Sequence, residues 1–487
     1  MSKRMLGVAV LVLALAAGNA FGFSVTSGDR DLGGGANLVN DGATETITPT
    51  GTTGFPADPF VYDWDDIDGA GTDASDNLVL GGSKLHNSDG SCFALKLGNA
   101  NGKGTVTGTG AKAIETVDAW VTGRPERTGG GWFSGDVSIT KVGDVSMGGI
   151  VTSSIAGGSV YGWAGDVLIG ESGDRAGNVR IDYVDTHGQG AGLRAGDFTV
   201  YSNGDVKLET SGGAAGDLLG YATSGNGSSI INIQHDGAFK ARDIQDYLGG
   251  AWTGNERIGT FTAEGDVVGD GASGTFEVRD INQYFTYWSY RKNVGAVDIS
   301  GYTGVVIAGG IDTHSIATGS TTAKYASDVT IEDIEGDIVI VGAIDLQGNT
   351  GGTPPDPQYN GVLTLQTIAS TITLGDEANP GAEELDLGKV KYILFDSDSG
   401  VSWIWHDIDN WVQGSDTLRV AEAGDVVYYS RGANPDLLTG GPLGDGVYPL
   451  TGGGINGTLE PTPLPIPEPA GLSLLGLAIL GLRRKRS

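Results

Sequence analysis

The chain has 487 residues, 85 of them glycine, and its 60 acidic residues outnumber its 29 basic residues to give a formal net charge of −31 at pH 7. This acidity argues against nucleic acid as a partner, because binding to phosphates depends on lysine and arginine. Glycine at this level without a strict Gly-X-Y period excludes collagen and indicates many tight turns. The single cysteine, Cys92, excludes an internal disulfide.

Residues 1–22 are predicted to form a signal peptide. Lys3 and Arg4 precede an apolar stretch from Leu6 to Ala17, and the small residues that follow this stretch suit signal peptidase. We therefore expect cleavage between about Ala20 and Phe23 and export of the remaining chain.

Residues 23–115 are predicted to form an N-terminal β cap or a small β unit of their own. This segment contains four aspartates that are candidate calcium ligands, Asp63, Asp65, Asp66 and Asp68. Their spacing misses the EF-hand pattern at its first position, and Ser75 stands where the closing glutamate belongs. A solvated acidic loop is the alternative interpretation, and calcium is the one cofactor that the sequence leaves open.

Residues 116–450 are predicted to form the body of the protein, because a short motif recurs along them. Each copy has glycine, then aspartate or asparagine, then an apolar residue, and most copies continue as a short alternating strand. Copies are Gly135-Asp136-Val137, Gly143-Asp144-Val145, Gly165-Asp166-Val167, Gly177-Asn178-Val179, Gly196-Asp197-Phe198, Gly204-Asp205-Val206 and Gly336-Asp337-Ile338. We interpret the glycine as a turn residue with positive φ, and the polar residue as an acceptor for nearby backbone amides.

Such short strands cannot bury a useful apolar face alone, so they are expected to stack on copies of themselves. The irregular spacing favours an all-β fold, a right-handed parallel β-helix with caps at both ends, the C-terminal one rich in aromatic residues. Proline is absent from Glu126 to Thr353, as interior strands require. The alternative is a set of tandem antiparallel β-sandwiches. In the β-helix, we predict burial of Val137, Val167, Val179, Phe198, Val206 and Ile338.

The body contains two features that bear on chemistry. Asp185-Thr186-His187-Gly188 resembles a fragment of a polygalacturonase site, but the paired aspartates expected shortly before it are absent, so no catalytic residue is predicted. An aromatic run places Tyr284, Trp288 and Tyr290 on one strand face. Exposed rings would stack on sugars, whereas buried rings would fill a hairpin or a cap, and the structural interpretation is favoured.

The C-terminal residues have the pattern of a sorting signal. A Gly- and Pro-rich linker, residues 451–466, leads to Pro467, Glu468 and Pro469, an apolar run from Ala470 to Leu482, and a basic cluster. That cluster is Arg483, Arg484, Lys485 and Arg486. The run is shorter than the roughly 20 residues that cross a bilayer comfortably, so we expect transient membrane insertion with the basic residues on the cytoplasmic side.

Residues 467–487 resemble the PEP-CTERM sorting signal, which is also catalogued as an ice-binding-protein C-terminal domain. The resemblance covers this tail only. It implies processing by an exosortase, a membrane cysteine protease whose genes accompany exopolysaccharide synthesis, and delivery to the outer envelope surface or the extracellular matrix after a transient inner-membrane stage. Ice binding itself would need a flat ladder of threonines, and the threonine groups at residues 44–48 and 105–109 are isolated.

Taken with the composition, these features predict an exported, acidic, non-enzymatic protein with a structural or adhesive role. Its expected partners are signal peptidase, exosortase and exopolysaccharide. Two alternatives stay open, a polysaccharide-active β-helix enzyme and a sugar- or calcium-binding module. Exposed acidic pairs along one groove would favour the enzyme, and an exposed aromatic row would favour the binding module.

Overall fold

The computed structural model describes residues 105–375 apart from 109–111, 116–118, 122–130, 155–161, 190–192, 224–226, 250–258, 266–272, 285–294, 316–324, 349–358 and 368–370. Outside that span, it describes the backbone of individual strands between Phe23 and Pro449. These parts of the chain are all-β with almost no helix. Among them, no helix has the length and apolar character needed to span a membrane.

In the described parts of the chain, three long sheets carry the fold, and each coil passes through them in turn; the strand counts below refer to these parts. The first sheet has 13 strands: Phe60–Asp63, Leu95–Gly98, Val137–Thr140, Val167–Ile169, Phe198–Tyr201, Ile231–Gln234, Phe261–Glu264, Val297–Ser300, Val329–Ile334, Val362–Thr367, Tyr392–Ser397, Thr417–Val420 and Gly446–Pro449. The second has 14: Phe23–Val25, Leu78–Leu80, Val106–Gly108, Val145–Met147, Val179–Ile181, Val206–Leu208, Phe239–Lys240, Ser273–Val278, Tyr302–Ile307, Ile338–Ile340, Thr371–Leu374, Ser402–Trp405, Val426–Tyr429 and Leu438–Pro442.

The third sheet has 12 strands, and a short fourth sheet lies between the third and the first along the chain. Strands of the third sheet are Arg30–Asp31, Ala36–Asn40, Thr44–Pro49, Lys84–Asn87, Lys112–Glu115, Gly149–Val151, Val184–Asp185, Leu218–Leu219, Asp243–Gln245, Asp280–Asn282, Ile311–Asp312 and Ile344–Asp345. The fourth sheet has 4: Ala119–Val121, Gly131–Phe133, Gly162–Trp163 and Leu193–Arg194.

Strands in neighbouring coils pair in parallel and in register. In the first sheet, Val137 lies opposite Val167, which lies opposite Phe198 in the next coil. The predicted parallel β-helix is therefore confirmed, and the β-sandwich alternative, which needs antiparallel sheets, is wrong. Antiparallel strand pairs lie towards the chain ends, as between Ala36–Asn40 and Thr44–Pro49, with one more between Ala119–Val121 and Gly131–Phe133.

The core is the interior of the coil stack, and the apolar residues of the repeated motif line it. The predicted residues are all buried: Val137, Val167, Val179, Phe198, Val206 and Ile338. Each fully buried side chain of this size contributes roughly 1.5–3 kcal/mol. Among the residues whose burial is described, the largest fully buried side chains are Tyr302, Phe198, Phe239, Phe261 and Phe276.

The motif glycines serve close packing between coils, so the prediction that they adopt positive φ is wrong. A Cβ on Gly165 would lie 2.0 Å from the carbonyl oxygen of Gly135, and one on Gly196 would lie 2.0 Å from that of Gly165. Among the described glycines, positive φ occurs elsewhere, as at Gly170 and Gly301. Glycine is needed because the backbone of the preceding coil occupies the space of a side chain.

The polar residue of the motif bonds to the next coil rather than to its own turn. Each side-chain Oδ1 accepts the backbone N–H at or next to the equivalent position one coil later. These hydrogen bonds form two columns along the solenoid axis. In one column, the backbone N–H of Asp166 donates to Asp136 at 2.9 Å, that of Asp197 to Asp166 at 2.7 Å and that of Ile230 to Asp197 at 2.7 Å. The other has Asn178 N to Asp144 at 2.7 Å, Asp205 N to Asn178 at 3.1 Å and Ala238 N to Asp205 at 2.9 Å. The motif thus ties successive coils together.

Candidate functional site

Several residues singled out from the sequence lie outside the described part of the chain. These are the sorting residues Pro467, Glu468, Pro469, Arg483, Arg484, Lys485 and Arg486, the candidate calcium ligands Asp65, Asp66 and Asp68, and the aromatic residues Trp288 and Tyr290. Asp63 ends a strand of which only the backbone is described. Among described residues, no group of three or more His, Cys, Asp or Glu side chains is placed to hold a metal ion. The calcium loop therefore stays a prediction.

Asp185 and His187 form a close pair at the end of a third-sheet strand. The Oδ1 atom of Asp185 lies 2.5 Å from Nδ1 of His187 and also accepts the backbone N–H of His187 at 3.2 Å. The His187 side chain is only 10% exposed. One carboxylate therefore fixes both the backbone and the ring of this histidine, which leaves Nε2 as the ring nitrogen free of the carboxylate.

The same arrangement recurs further along the solenoid. Asp312 Oδ1 lies 2.5 Å from Nδ1 of His314 and accepts its backbone N–H at 3.1 Å. Both pairs belong to Asp-Thr-His tripeptides that follow an apolar residue of the third sheet. Sequence reasoning missed this second copy, although the identical tripeptide is a signal that was there to be found.

A ladder of stacked rings joins the two histidines. From His187 the order is Tyr221, Tyr247, Tyr284 and His314, one ring per coil, which we call the ring ladder. Successive centroids are 4.9, 4.6, 4.7 and 4.8 Å apart, with interplanar angles of 15°, 6°, 0° and 7°. Because each tyrosine face meets a neighbouring ring, the tyrosines present edges and hydroxyl groups, not faces, to solvent.

The ring ladder therefore favours the structural interpretation of Tyr284 over a sugar-stacking platform. Burial raises the pKa of the Tyr221, Tyr247 and Tyr284 hydroxyl groups, and the neighbouring Tyr247 adds to this at Tyr221 and Tyr284. These hydroxyl groups stay protonated at neutral pH and act as neutral donors and acceptors. Each aromatic pair is worth about 0.5–1.5 kcal/mol beyond its buried area.

An Asp–His pair is able to act as a general base, but its duplication indicates a different role. Both pairs occupy the same position in their coils, and each holds a histidine flat against a tyrosine at one end of the ring ladder. The ring ladder has two ends, and one Asp–His pair lies at each of them. We therefore assign these pairs to the ring ladder.

A stack of carboxylates on three successive coils is the other polar feature. Asp166 lies between Asp136 and Asp197, and its pKa is raised to about 6 by desolvation of the carboxyl group within the stack and then by repulsion from these two neighbours, although the residue as a whole is exposed. Arg194 donates to Asp197 Oδ2 at 3.2 Å and stands over the Trp163 ring at 5.6 Å. Sequence reasoning missed this stack because its members are about 30 residues apart in the chain.

A third histidine, His235, is buried in the core. Its Nε2 lies 2.8 Å from the hydroxyl of Tyr302, and Nδ1 accepts the backbone N–H of Gly237 at 3.3 Å. Burial lowers the pKa of His235 to about 4. The ring is therefore neutral at physiological pH.

Comparison with protein-family models, with curated proteins and with solved structures finds no match to this chain.

Proposed function

We propose that this chain is an exported, acidic scaffold of the cell envelope or exopolysaccharide matrix, with a structural or adhesive role. One observation carries the proposal: the polar residues that stand out in the sequence bond from coil to coil. The motif aspartates accept backbone amides of the next coil, and both Asp-Thr-His tripeptides serve the ring ladder. Residues used in this way build a stiff rod.

Ion pairs with solvent-facing basic residues also join successive coils. Arg242 bonds to Asp217 in the preceding coil, and Arg279 bonds in the same way to Asp243. Lys240 lies 2.9 Å from Glu209, also one coil back. In each pair the carboxylate is more buried than the basic partner, and the repetition of these pairs along the axis supports coil stacking rather than a single reactive centre.

The destination of the scaffold is proposed from the two chain ends. Signal peptidase would remove residues 1–22, and an exosortase would process the tail at the Pro467–Pro469 motif after transient membrane insertion. The large excess of negative charge keeps such a protein soluble outside the cell.

Mass spectrometry of exported protein tests this proposal. The wild type is expected to lose a C-terminal segment that begins near Pro467, whereas replacing Pro467, Glu468 and Pro469 by alanine is expected to leave the tail attached and the protein in the membrane fraction. Replacing Pro461, Pro463 and Pro465 by alanine is the matched control, because these linker prolines lie outside the motif. Arg483–Arg486 intact on wild-type extracellular protein would overturn the proposal.

A polysaccharide-active enzyme is the second candidate function, and one observation favours it. Asp166 has a pKa of about 6 within its carboxylate stack, and a carboxyl group with a raised pKa is the usual general acid of glycoside hydrolysis. Against this, Oδ1 of Asp136 and of Asp166 each already accepts a backbone amide. The depolymerisation assay described in the Discussion separates the two functions.

A further inference from the structure

One stretch of the outer surface carries no charge along its strands, although the carboxylate stack of Asp136, Asp166 and Asp197 borders it on the same outward side. Four consecutive first-sheet strands, Val137–Thr140, Val167–Ile169, Phe198–Tyr201 and Ile231–Gln234, alternate buried and half-buried residues. We call their outward side the neutral face. Apart from Leu168, its side chains all bear a hydroxyl or amide group: Ser138, Thr140, Thr199, Tyr201, Asn232 and Gln234.

The other sheets present charged groups outward over the same coils. The second sheet has Arg180, Lys207 and Lys240 in register on successive strands. Lys207 lies 2.5 Å from Asp205, and on the third sheet Asp185 is bound to its histidine. In a chain with a net charge of −31, a face without charges over four strands is a local exception.

The polar groups of the neutral face are also unused by the fold. The side chains of Ser138, Thr199, Asn232 and Gln234 make no hydrogen bond to another residue in the part of the chain that the structure describes. By contrast, five motif aspartates each accept a backbone amide of the next coil, namely Asp136, Asp144, Asp166, Asp197 and Asp205. Strand alternation alone would accept any residue at these outward positions, so coil stacking does not account for this set.

The regular spacing of β-strands arranges the side chains of the neutral face in a regular array. Neighbouring strands lie about 4.8 Å apart, and successive outward residues of one strand are about 6.6 Å apart. Hydroxyl and amide groups therefore repeat in two directions, with Tyr201 and Leu168 as apolar contacts among them. A chain of uncharged sugar units matches this array, because its hydroxyl groups donate and accept and its ring faces pack on Tyr201.

We infer that the neutral face binds an uncharged glycan chain laid along the solenoid axis. This inference names the ligand class of the proposed scaffold and rests on that function. Charge selects the ligand: an acidic glycan is repelled by the excess of carboxylates around the neutral face, whereas an uncharged one is not.

Affinity electrophoresis of the mature protein tests the inference, with hydroxyethylcellulose in the gel as the neutral probe and polygalacturonate as the acidic one. Asn232→Ala/Gln234→Ala removes two amide groups from the neutral face. Gln245→Ala/Asn282→Ala is the matched control, because it removes the same groups from half-buried outward positions of the third sheet. Thr199→Arg is examined alongside, and thermal unfolding of each variant checks its fold.

The neutral polymer is expected to retard the wild type and the control within twofold of each other. Retardation should fall at least tenfold for Asn232→Ala/Gln234→Ala and for Thr199→Arg, and polygalacturonate should retard none of them. Equal loss in the control and face variants, or no retardation of the wild type, would overturn the inference. A further result would overturn the inference: the wild type sediments as a dimer and the Asn232→Ala/Gln234→Ala variant as a monomer. A second copy of the chain would then occupy the neutral face. If tail processing is nevertheless as expected, the scaffold proposal stands without this ligand.

Discussion

Asp144 and Asn178 are 34 residues apart in the chain and directly bonded in the solenoid. Oδ1 of Asp144 accepts the backbone N–H of Asn178 at 2.7 Å and its side-chain Nδ2 at 3.2 Å. Asn178 then offers its own Oδ1 to Asp205 in the next coil. Aspartate and asparagine thus alternate in one column and perform the same task.

Replacing Asp144 by alanine is expected to destabilise the solenoid by about 1 kcal/mol, the usual net value of a hydrogen bond. Asp144→Asn is the control and should be close to the wild type, because Asn178 shows that an amide serves at this position. Denaturant unfolding of the three proteins measures the difference. Equal losses for both variants would mean that charge, not the hydrogen bond, matters here.

Gly165→Ala is expected to cost at least 1–3 kcal/mol, the range for overpacking. The new Cβ would lie 2.0 Å from the Gly135 carbonyl oxygen, so one coil must move away from the next. Gly173→Ala is the matched control, because nothing lies within 4 Å of its Cβ position. The thermal midpoints of the two variants give the comparison, and a Gly165→Ala midpoint equal to that of the control would refute the close-packing account.

Asp166→Asn is expected to stabilise the protein at pH 7.5. The folded pKa of Asp166 is raised from 3.8 to about 6, so the folded wild type gains stability from protonation as pH falls from 6 towards 3.8 and lacks it above 6. The advantage of the variant should therefore shrink over that interval. Asp166 as a whole is exposed, so solvent screening keeps the effect small. A variant less stable than the wild type at pH 7.5 would contradict this account.

His235 predicts the opposite pH dependence. Its pKa is lowered from 6.5 to about 4 in the folded protein, so the unfolded chain binds the proton more readily and stability falls as pH drops from 6.5 to 4. The shift corresponds to about 3 kcal/mol. His235→Phe/Tyr302→Phe, which removes the titrating group and its partner together, should reduce the loss between these pH values by that amount. An unchanged pH profile of the unfolding free energy would contradict the assignment.

The sequence was sufficient to predict the β-helix, because alternation along a strand decides burial wherever one face is covered. Val137 and Phe198 are buried as predicted, and the absence of proline between residues 126 and 353 suits interior strands. These are local rules, and they hold in any solenoid.

Coil partners were not predictable from spacing alone. Bonded residues are 30 and 31 positions apart in the column of Asp136, and 34 and 27 apart in the column of Asp144. Two interleaved series with variable loops look irregular when read as one. For the same reason, the role of Gly165 was misread, since its constraint comes from a carbonyl in another coil and not from its own φ.

The ring ladder escaped prediction because its tyrosines lie at variable distances along the chain. In the sequence, Tyr284 stands within a run of aromatic residues, whereas its neighbours in the structure are Tyr247 and His314. The repeated Asp-Thr-His tripeptide was the usable signal. Two identical tripeptides in a solenoid indicate the same position in two coils.

The central claim is that this solenoid is a scaffold and not an enzyme. An assay for depolymerisation of the extracellular polysaccharide of the organism that produces the protein tests this claim. The mature wild type, Asp185→Ala/His187→Ala, Asp312→Ala/His314→Ala and Asp166→Asn are each incubated with the polymer, with and without calcium, and new reducing ends are counted. We expect no release by any of the four. Two results would identify a catalytic site and contradict the account. In the first, the wild type releases reducing ends and Asp166→Asn does not. In the second, Asp185→Ala/His187→Ala loses the release and Asp312→Ala/His314→Ala keeps it.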